Sequence, residues 1–300
     1  MHDIRNVLCP VDRSDISRRA LTVGAAVARW HDARLRVLEV VAVPLPPLAV
    51  APVAVQGLSM EVRRNLLDEL DRFADPARAF GVPVHISVEE GDVVATIVDE
   101  SKTVPAEMIV IGTHGRSGFE HLALGSVAEK VLRKAKCPVL TVPPGAPADP
   151  SARVPFTRIV CAVDFSHASL KGLEYAFSLA QETDAQLSVV HVIDWPDDTS
   201  LPGTLAKAVA STRREWENEK RQQLRLLVPE SAGTWCRPEP VLVVGRPATE
   251  ILTLAKAREA DLIIMGVHGR SGLDLAVFGS TTHRVVREAP CPVMTVRGKG

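Results

Sequence analysis

Short apolar runs alternate with longer amphipathic stretches along the whole chain. The first run, Asn6–Val11, ends at Asp12, and Ser14 then reads as the N-cap of a helix. On that helix Ile16, Ala20, Val23, Val27 and Trp30 recur at helical spacing. Leu35–Val41 reads as the next strand. The most apolar stretch, Val37 to Val55, is interrupted by Pro44, Pro46, Pro47 and Pro52. A membrane span needs about 20 largely uninterrupted apolar residues, so a strand followed by a proline-rich loop is the better reading. A second helix is predicted from about Met60 to Phe80, with Val62, Leu66, Leu70 and Phe73 on its apolar face. A strand over Val84–Val88, a helix after Gly91, a strand over Met108–Gly112, a helix starting near Gly125 and a strand over Pro138–Val142 complete the pattern. Helices alternating with short apolar strands imply a parallel sheet with right-handed crossovers. The expected fold is α/β and doubly wound, with ligands at the carboxyl ends of the strands where strand order reverses.

The pattern then repeats. Ile4–Asp12 answers to Phe156–Asp164, and Leu35–Val40 to Leu187–Val192. Gly91 and Ile97 answer to Gly245 and Ile251. Gly112-Thr113-His114-Gly115-Arg116-Ser117-Gly118 pairs with Gly266-Val267-His268-Gly269-Arg270-Ser271-Gly272. Cys137–Val142 pairs with Cys291–Val296. The offset grows from 152 to 154, so a small length change falls in the poorly matched middle. A duplication of this kind predicts two tandem doubly wound α/β/α domains, each with a five-stranded parallel sheet. Residues 1–145 form the first domain and 155–300 the second, with 146–154 as linker inside the proline- and alanine-rich run from Pro143 to Pro155.

Charge narrows the function classes. The chain has 35 basic and 36 acidic residues, a net charge of −1, and no long run of one sign. A nucleic-acid binder normally shows a basic patch or stripe, so nucleic acid is not an expected partner, and neither is a membrane. Cys9, Cys137, Cys161, Cys236 and Cys291 are odd in number and form no C-x-x-C pair, which is the usage of a reduced, cytoplasmic protein. The helix around Arg213 to Arg225 mixes charge signs at i,i+4 spacing and reads as a solvated face.

The candidate chemistry lies after the fourth strand of each copy. Gly112, two residues, Gly115, nine residues and Gly125-Ser126 become Gly266, Gly269 and Gly279-Ser280 in the second copy. Glycine permits positive φ and close backbone approach to an anion. Gly125-Ser126 opens a helix, whose free N–H groups and positive dipole end favour a phosphate. Arg116 and Arg270 could add charge to the same group. At the end of the first strand, Asp12 and Asp164 suit the two hydroxyls of a ribose, and equally suit a turn before a helix. Val40 and Val192 offer backbone groups to a purine edge.

On these residues the chain resembles the universal stress protein family. The shared marks are G-x2-G-x9-G-S after the fourth strand, an aspartate after the first, and a closing C-P-V-x-T-V strand. The resemblance covers nearly all of both halves. It implies the branch of the family that binds ATP, acting as a stress-response or signalling module without catalysis. By that resemblance Pro10 and Asp12 contact the ribose, Val40 the adenine, and Gly112, Gly115, Arg116, Gly125, Ser126 and Val127 the phosphates. In the second copy the set is Asp164, Val192, Gly266, Gly269, Arg270, Gly279, Ser280 and Thr281. That copy departs at Ala162, where the first has Pro10, and its acidic run Asp194-Trp195-Pro196-Asp197-Asp198 would repel phosphates, so the first site is the stronger candidate.

Other readings fare worse. A Walker loop needs a lysine after its glycines, and the dinucleotide fingerprint needs glycines after the first strand. His114 and His268 are a matched pair without further ligands at metal spacing, so no metal site is expected, though bound ATP usually brings Mg²⁺. Weak ATP hydrolysis or nucleotidyl transfer in the same pocket stays open, as does an interaction protein without nucleotide. Pro138–Val142 and Pro292–Val296 are expected to pair the two copies as an intramolecular pseudo-dimer, because an apolar edge left bare would aggregate. Association of two chains into a homodimer is left open.

Overall fold

The computed structural model describes residues 4–42, 57–115, 124–146, 156–195, 203–228 (203–210 as backbone), 238–267 and 279–298. The proline-rich loop after the second strand, Arg116, the linker 147–155, Pro196–Asp198, Cys236, His268, Gly269 and Arg270 lie outside them. The chain divides into two units, His2–Pro155 and Phe156–Gly300.

In the first unit the order is β1 (Asn6–Val11), α1 (Asp15–Trp30), β2 (Arg34–Ala42), α2 (Met60–Arg78), β3 (Val84–Gly91), α3 (Val93–Thr103), β4 (Met108–Gly112), α4 (Ser126–Lys134) and β5 (Val139–Val142). Its strands stand in the order β3-β2-β1-β4-β5 and run parallel. The second unit has β6 (Arg158–Ala162), α5 (His167–Thr183), β7 (Gln186–Ile193), α6 (Gly203–Leu226), β8 (Glu239–Val244), α7 (Pro247–Ala257), β9 (Leu262–Gly266), α8 (Ser280–Glu288) and β10 (Val293–Val296). Its order, β8-β7-β6-β9-β10, is the same arrangement, again parallel. Strand order reverses between β1 and β4 in one unit and between β6 and β9 in the other. A crevice opens there in a doubly wound sheet.

The strands are apolar because helices cover both of their faces. Met108–Gly112 and Leu262–Gly266 are buried at every position, and Leu8, Leu35, Leu38 and Ile109 are among the fully buried side chains. Burial also governs the thiols: Cys9 and Cys291 are pushed up to about 12 and Cys137 to about 11, all chiefly by desolvation. They behave as small hydrophobes rather than nucleophiles.

Three expectations need correction. The third strand runs on to Gly91, because Val40–Ala42 of β2 keep pairing with Glu89–Gly91; an outer strand tolerates polar side chains. The buried face of α2 is Leu70, Phe73, Ala74 and Ala77, whereas Val62 is exposed. The sign-mixed helix is not a solvated face throughout, since Lys220 and Leu224 are buried.

Candidate functional site

The turn after β1 builds one wall. Asp12 Oδ1 accepts from the Ser14 N–H at 3.1 Å and from the Ser14 hydroxyl at 2.6 Å. Ser14 Oγ in turn accepts from the Ser17 N–H and caps α1. Arg13 between them sits in the left-handed region at φ 64° and pairs with Glu39 at 2.9 Å and with Glu69. One carboxylate oxygen therefore serves the turn. The other faces Gly115, where an added Cβ would stand 2.7 Å from Asp12 Oδ2. The turn reading is thus seen directly in the two bonds that Oδ1 accepts from Ser14.

The opposite wall is the loop from β4 to α4. The Thr113 N–H donates to Val142 O at 3.0 Å, and the Gly125 N–H donates to Thr113 O at 2.7 Å. These bonds hold the two ends of the loop together beside the strand tip. Helices α1, α2 and α3 begin with side-chain caps from Ser14, Ser59 and Asp92, but α4 begins at Gly125 with no side-chain cap. First-turn N–H groups lack intrahelical partners and carry the positive end of the dipole, so an anion suits this helix start.

The glycines are there for space, not for unusual dihedrals. Neither Gly112, Gly115 nor Gly125 has a positive φ, contrary to expectation. A Cβ on Gly112 would meet Ile16 Cγ2 at 2.8 Å, and one on Gly125 would meet Thr113 O at 2.9 Å. Backbone packed this close leaves no room for a side chain.

Between these walls is a cavity of about 360 Å³. Pro10, Asp12, Val40, Gly112, Gly115, Gly125, Ser126 and Val127 all line it. Sequence reasoning missed Leu38, Val93, Ile97, Thr113 and His114, which line it too. The first three carried a legible signal: Leu38 shares a strand face with Val40, and Val93 and Ile97 are four apart on α3. His114 Nδ1 lies 2.9 Å from Thr113 Oγ1, while its Nε2 is buried with no hydrogen-bond partner among the described residues. A buried polar atom left over at a cavity wall fits a polar ligand.

The second unit repeats the construction with a cavity of about 360 Å³. Asp164 Oδ1 accepts from the Ser166 N–H at 3.0 Å and its hydroxyl at 2.6 Å. The Gly279 N–H donates to Val267 O at 3.2 Å, and α8 again has no side-chain cap. Asp164, Val192, Gly266, Gly279, Ser280 and Thr281 line this cavity. So do Ala162, His191, Asp194, Trp216 and Lys220. His191 Nδ1 is 2.7 Å from Val163 O, so that nitrogen carries the proton, and its ring lies 4.6 Å from that of Phe165. Among the described residues no group of His, Cys, Asp and Glu could hold a metal ion, and no helix is long and apolar enough to cross a membrane.

The profile of the universal stress protein family matches residues 3–143 and 155–297. The chain belongs to that family. A universal stress protein of Mycolicibacterium smegmatis is 28% identical over 298 residues, spanning 97% of this chain and 96% of its own length. One from Mycobacterium tuberculosis is 28% identical over 320 residues, spanning 97% of this chain and 94% of its own. The crystal structure of a universal stress protein from Archaeoglobus fulgidus superposes with a TM-score of 0.71 at 24% identity, covering 99% of this chain and 97% of that one. That likeness bears on the fold. Each of the two universal stress protein segments holds one of the cavities described above.

Proposed function

We propose that this tandem universal stress protein binds ATP in the cavity of its first domain and carries a second nucleotide site in the other, as a stress-response module rather than a catalyst. The observation that carries this reading is that the Asp12 carboxylate and the uncapped start of α4 line one cavity of about 360 Å³. A carboxylate accepts from a vicinal diol, and a helix N-terminus receives phosphate, so their pairing suits a ribose phosphate. Leu38, Val40, Val93 and Ile97 give the base an apolar slot. The same lining by Asp164 and Gly279 in the second domain supports the reading independently. Arg116, beyond the described residues, would add charge to the phosphates.

Titration calorimetry with ATP, in the presence and absence of Mg²⁺, tests the reading. Saturable binding is expected, together with phosphate release no faster than the background of a Gly115→Val control. Binding of adenosine as tight as ATP would contradict a role for the helix start, since adenosine lacks phosphate. Turnover that the control loses would favour the hydrolase alternative.

A further inference from the structure

The two cavities share their phosphate-facing construction and differ at the opposite end. The offset that relates Gly112 to Gly266 also relates Leu70 to Leu224, both fully buried, and so sets Lys220 against Leu66 and Trp216 against Val62. On β7, the register that matches Val192 to Val40 sets Asp194 against Ala42. Where the first domain has Leu66 and Ala42, the second therefore has an ammonium and a carboxylate, and both line its cavity.

Lys220 is 8% exposed. Its Nζ reaches Gln223 Oε1 at 2.9 Å and Glu219 Oε1 at 3.4 Å, and lies 5.5 Å from the Phe165 ring centroid. The Glu219 side chain is itself 58% exposed, which weakens that pair through solvent screening. Lysines are almost never buried this deeply unless well paired, and an ammonium has three donors to satisfy. Among the described residues its acceptors are one neutral amide and one distant, solvated carboxylate. The cavity it lines is where a further acceptor would come from.

Position selects the part of the ligand that supplies it. Helix α6 packs on β7 and β8, whereas Gly279 follows β9. From β7 across β6 to β9 is about 10 Å at normal strand spacing. With phosphate at α8 and ribose at Asp164, the base falls at the Lys220 end. A lysine there donates and cannot accept. Guanine presents two acceptors, O6 and N7, on one edge, whereas adenine replaces the first with an amino donor. Guanine also carries N1–H and a 2-amino group, donors for Asp194, and adenine has no hydrogen on N1.

We propose that the second cavity selects a guanine nucleotide, with Lys220 donating to O6 and N7 and Asp194 accepting from N1–H and the 2-amino group. Trp216, half exposed at the mouth and edge-on to Trp195 at 6.3 Å, then lies close enough to report occupancy. The assignment rests on the nucleotide reading above and adds base specificity to it.

The test titrates the full chain with GTP and, separately, with ATP, following heat and tryptophan fluorescence. Lys220→Leu and Asp194→Ala install the residues of the first domain. Asp194 is exposed, so its variant stays folded even should the Lys220 variant not. One GTP per chain with a fluorescence change is expected. Each variant is expected to weaken GTP about ten-fold or more, the scale of one good side-chain–base contact, and to leave ATP binding in the first domain as it was. ATP filling both cavities without GTP binding would overturn the guanine assignment and leave nucleotide binding standing. So would GTP affinity indifferent to both substitutions. Failure of both nucleotides to bind would sink the underlying reading and the inference with it.

Discussion

Gly115→Val is expected to weaken ATP binding by the first domain about a hundred-fold, or ~2.8 kcal/mol at 1.4 kcal/mol per decade. The Cβ alone would stand 2.7 Å from Asp12 Oδ2, closer than carbon and oxygen tolerate, so the loop and the carboxylate must part. The valine methyl groups would then occupy the space into which phosphate must come. One substitution thereby disturbs both walls of the cavity. Gly115 lies in neither helix nor strand, so the unfolding transition is expected to stay cooperative and close to that of the parent protein. Calorimetry and thermal melting on the same sample separate the two effects. Unchanged affinity would remove the loop from the site. Loss of affinity together with loss of the folded state would show instead that Gly115 serves the scaffold.

Asp12→Ala is expected to weaken ATP and AMP alike by about 1.5–3 kcal/mol, the range for hydrogen bonds to a charged group, because both ligands carry the same ribose. A loss confined to ATP would place the carboxylate on phosphate or metal. The alanine also removes the acceptor for the Ser14 N–H and hydroxyl, so some stability at the start of α1 goes with it. Asp12→Asn distinguishes the two roles. Its amide oxygen can still accept from Ser14, while its NH₂ offers the ribose a donor where an acceptor stood. Near-normal melting with weakened AMP is the expected pattern for this second variant.

How far the sequence could be read follows from what each signal measures. The ends of β1 and β4 were legible because an apolar run buried on both faces stops abruptly at Asp12 and at Thr113. The starts of α1 and α4 were legible through Ser14 and Gly125. The switch point followed from the alternation of elements, and the cavity-lining residues from the motif repeated in both halves. Periodicity was blind to Lys220. Charges at i,i+4 spacing look solvated on any isolated helix, and their burial depends on the strand and loop across the gap. Val62 misled for the matching reason, since helix spacing says which residues share a face but not where along the helix the covering layer ends. Gly112, Gly115 and Gly125 line the cavity without the positive φ that glycine permits. Sequence cannot distinguish a residue needed for positive φ from one needed because Ile16, Asp12 or a carbonyl stands within 3 Å of its missing Cβ.

Whether these cavities hold nucleotide is measured most directly by what the protein carries when isolated. Purified full-length chain, freed of loose nucleotide by gel filtration and then denatured, is analysed by ion-exchange chromatography of the supernatant. ATP released in proportion to protein, and absent from a parallel preparation of Gly115→Val,Asp12→Ala, is the predicted result. No nucleotide in the released fraction, together with no heat on titrating the folded chain with ATP, would contradict the account and favour an interaction protein whose glycine loops are structural.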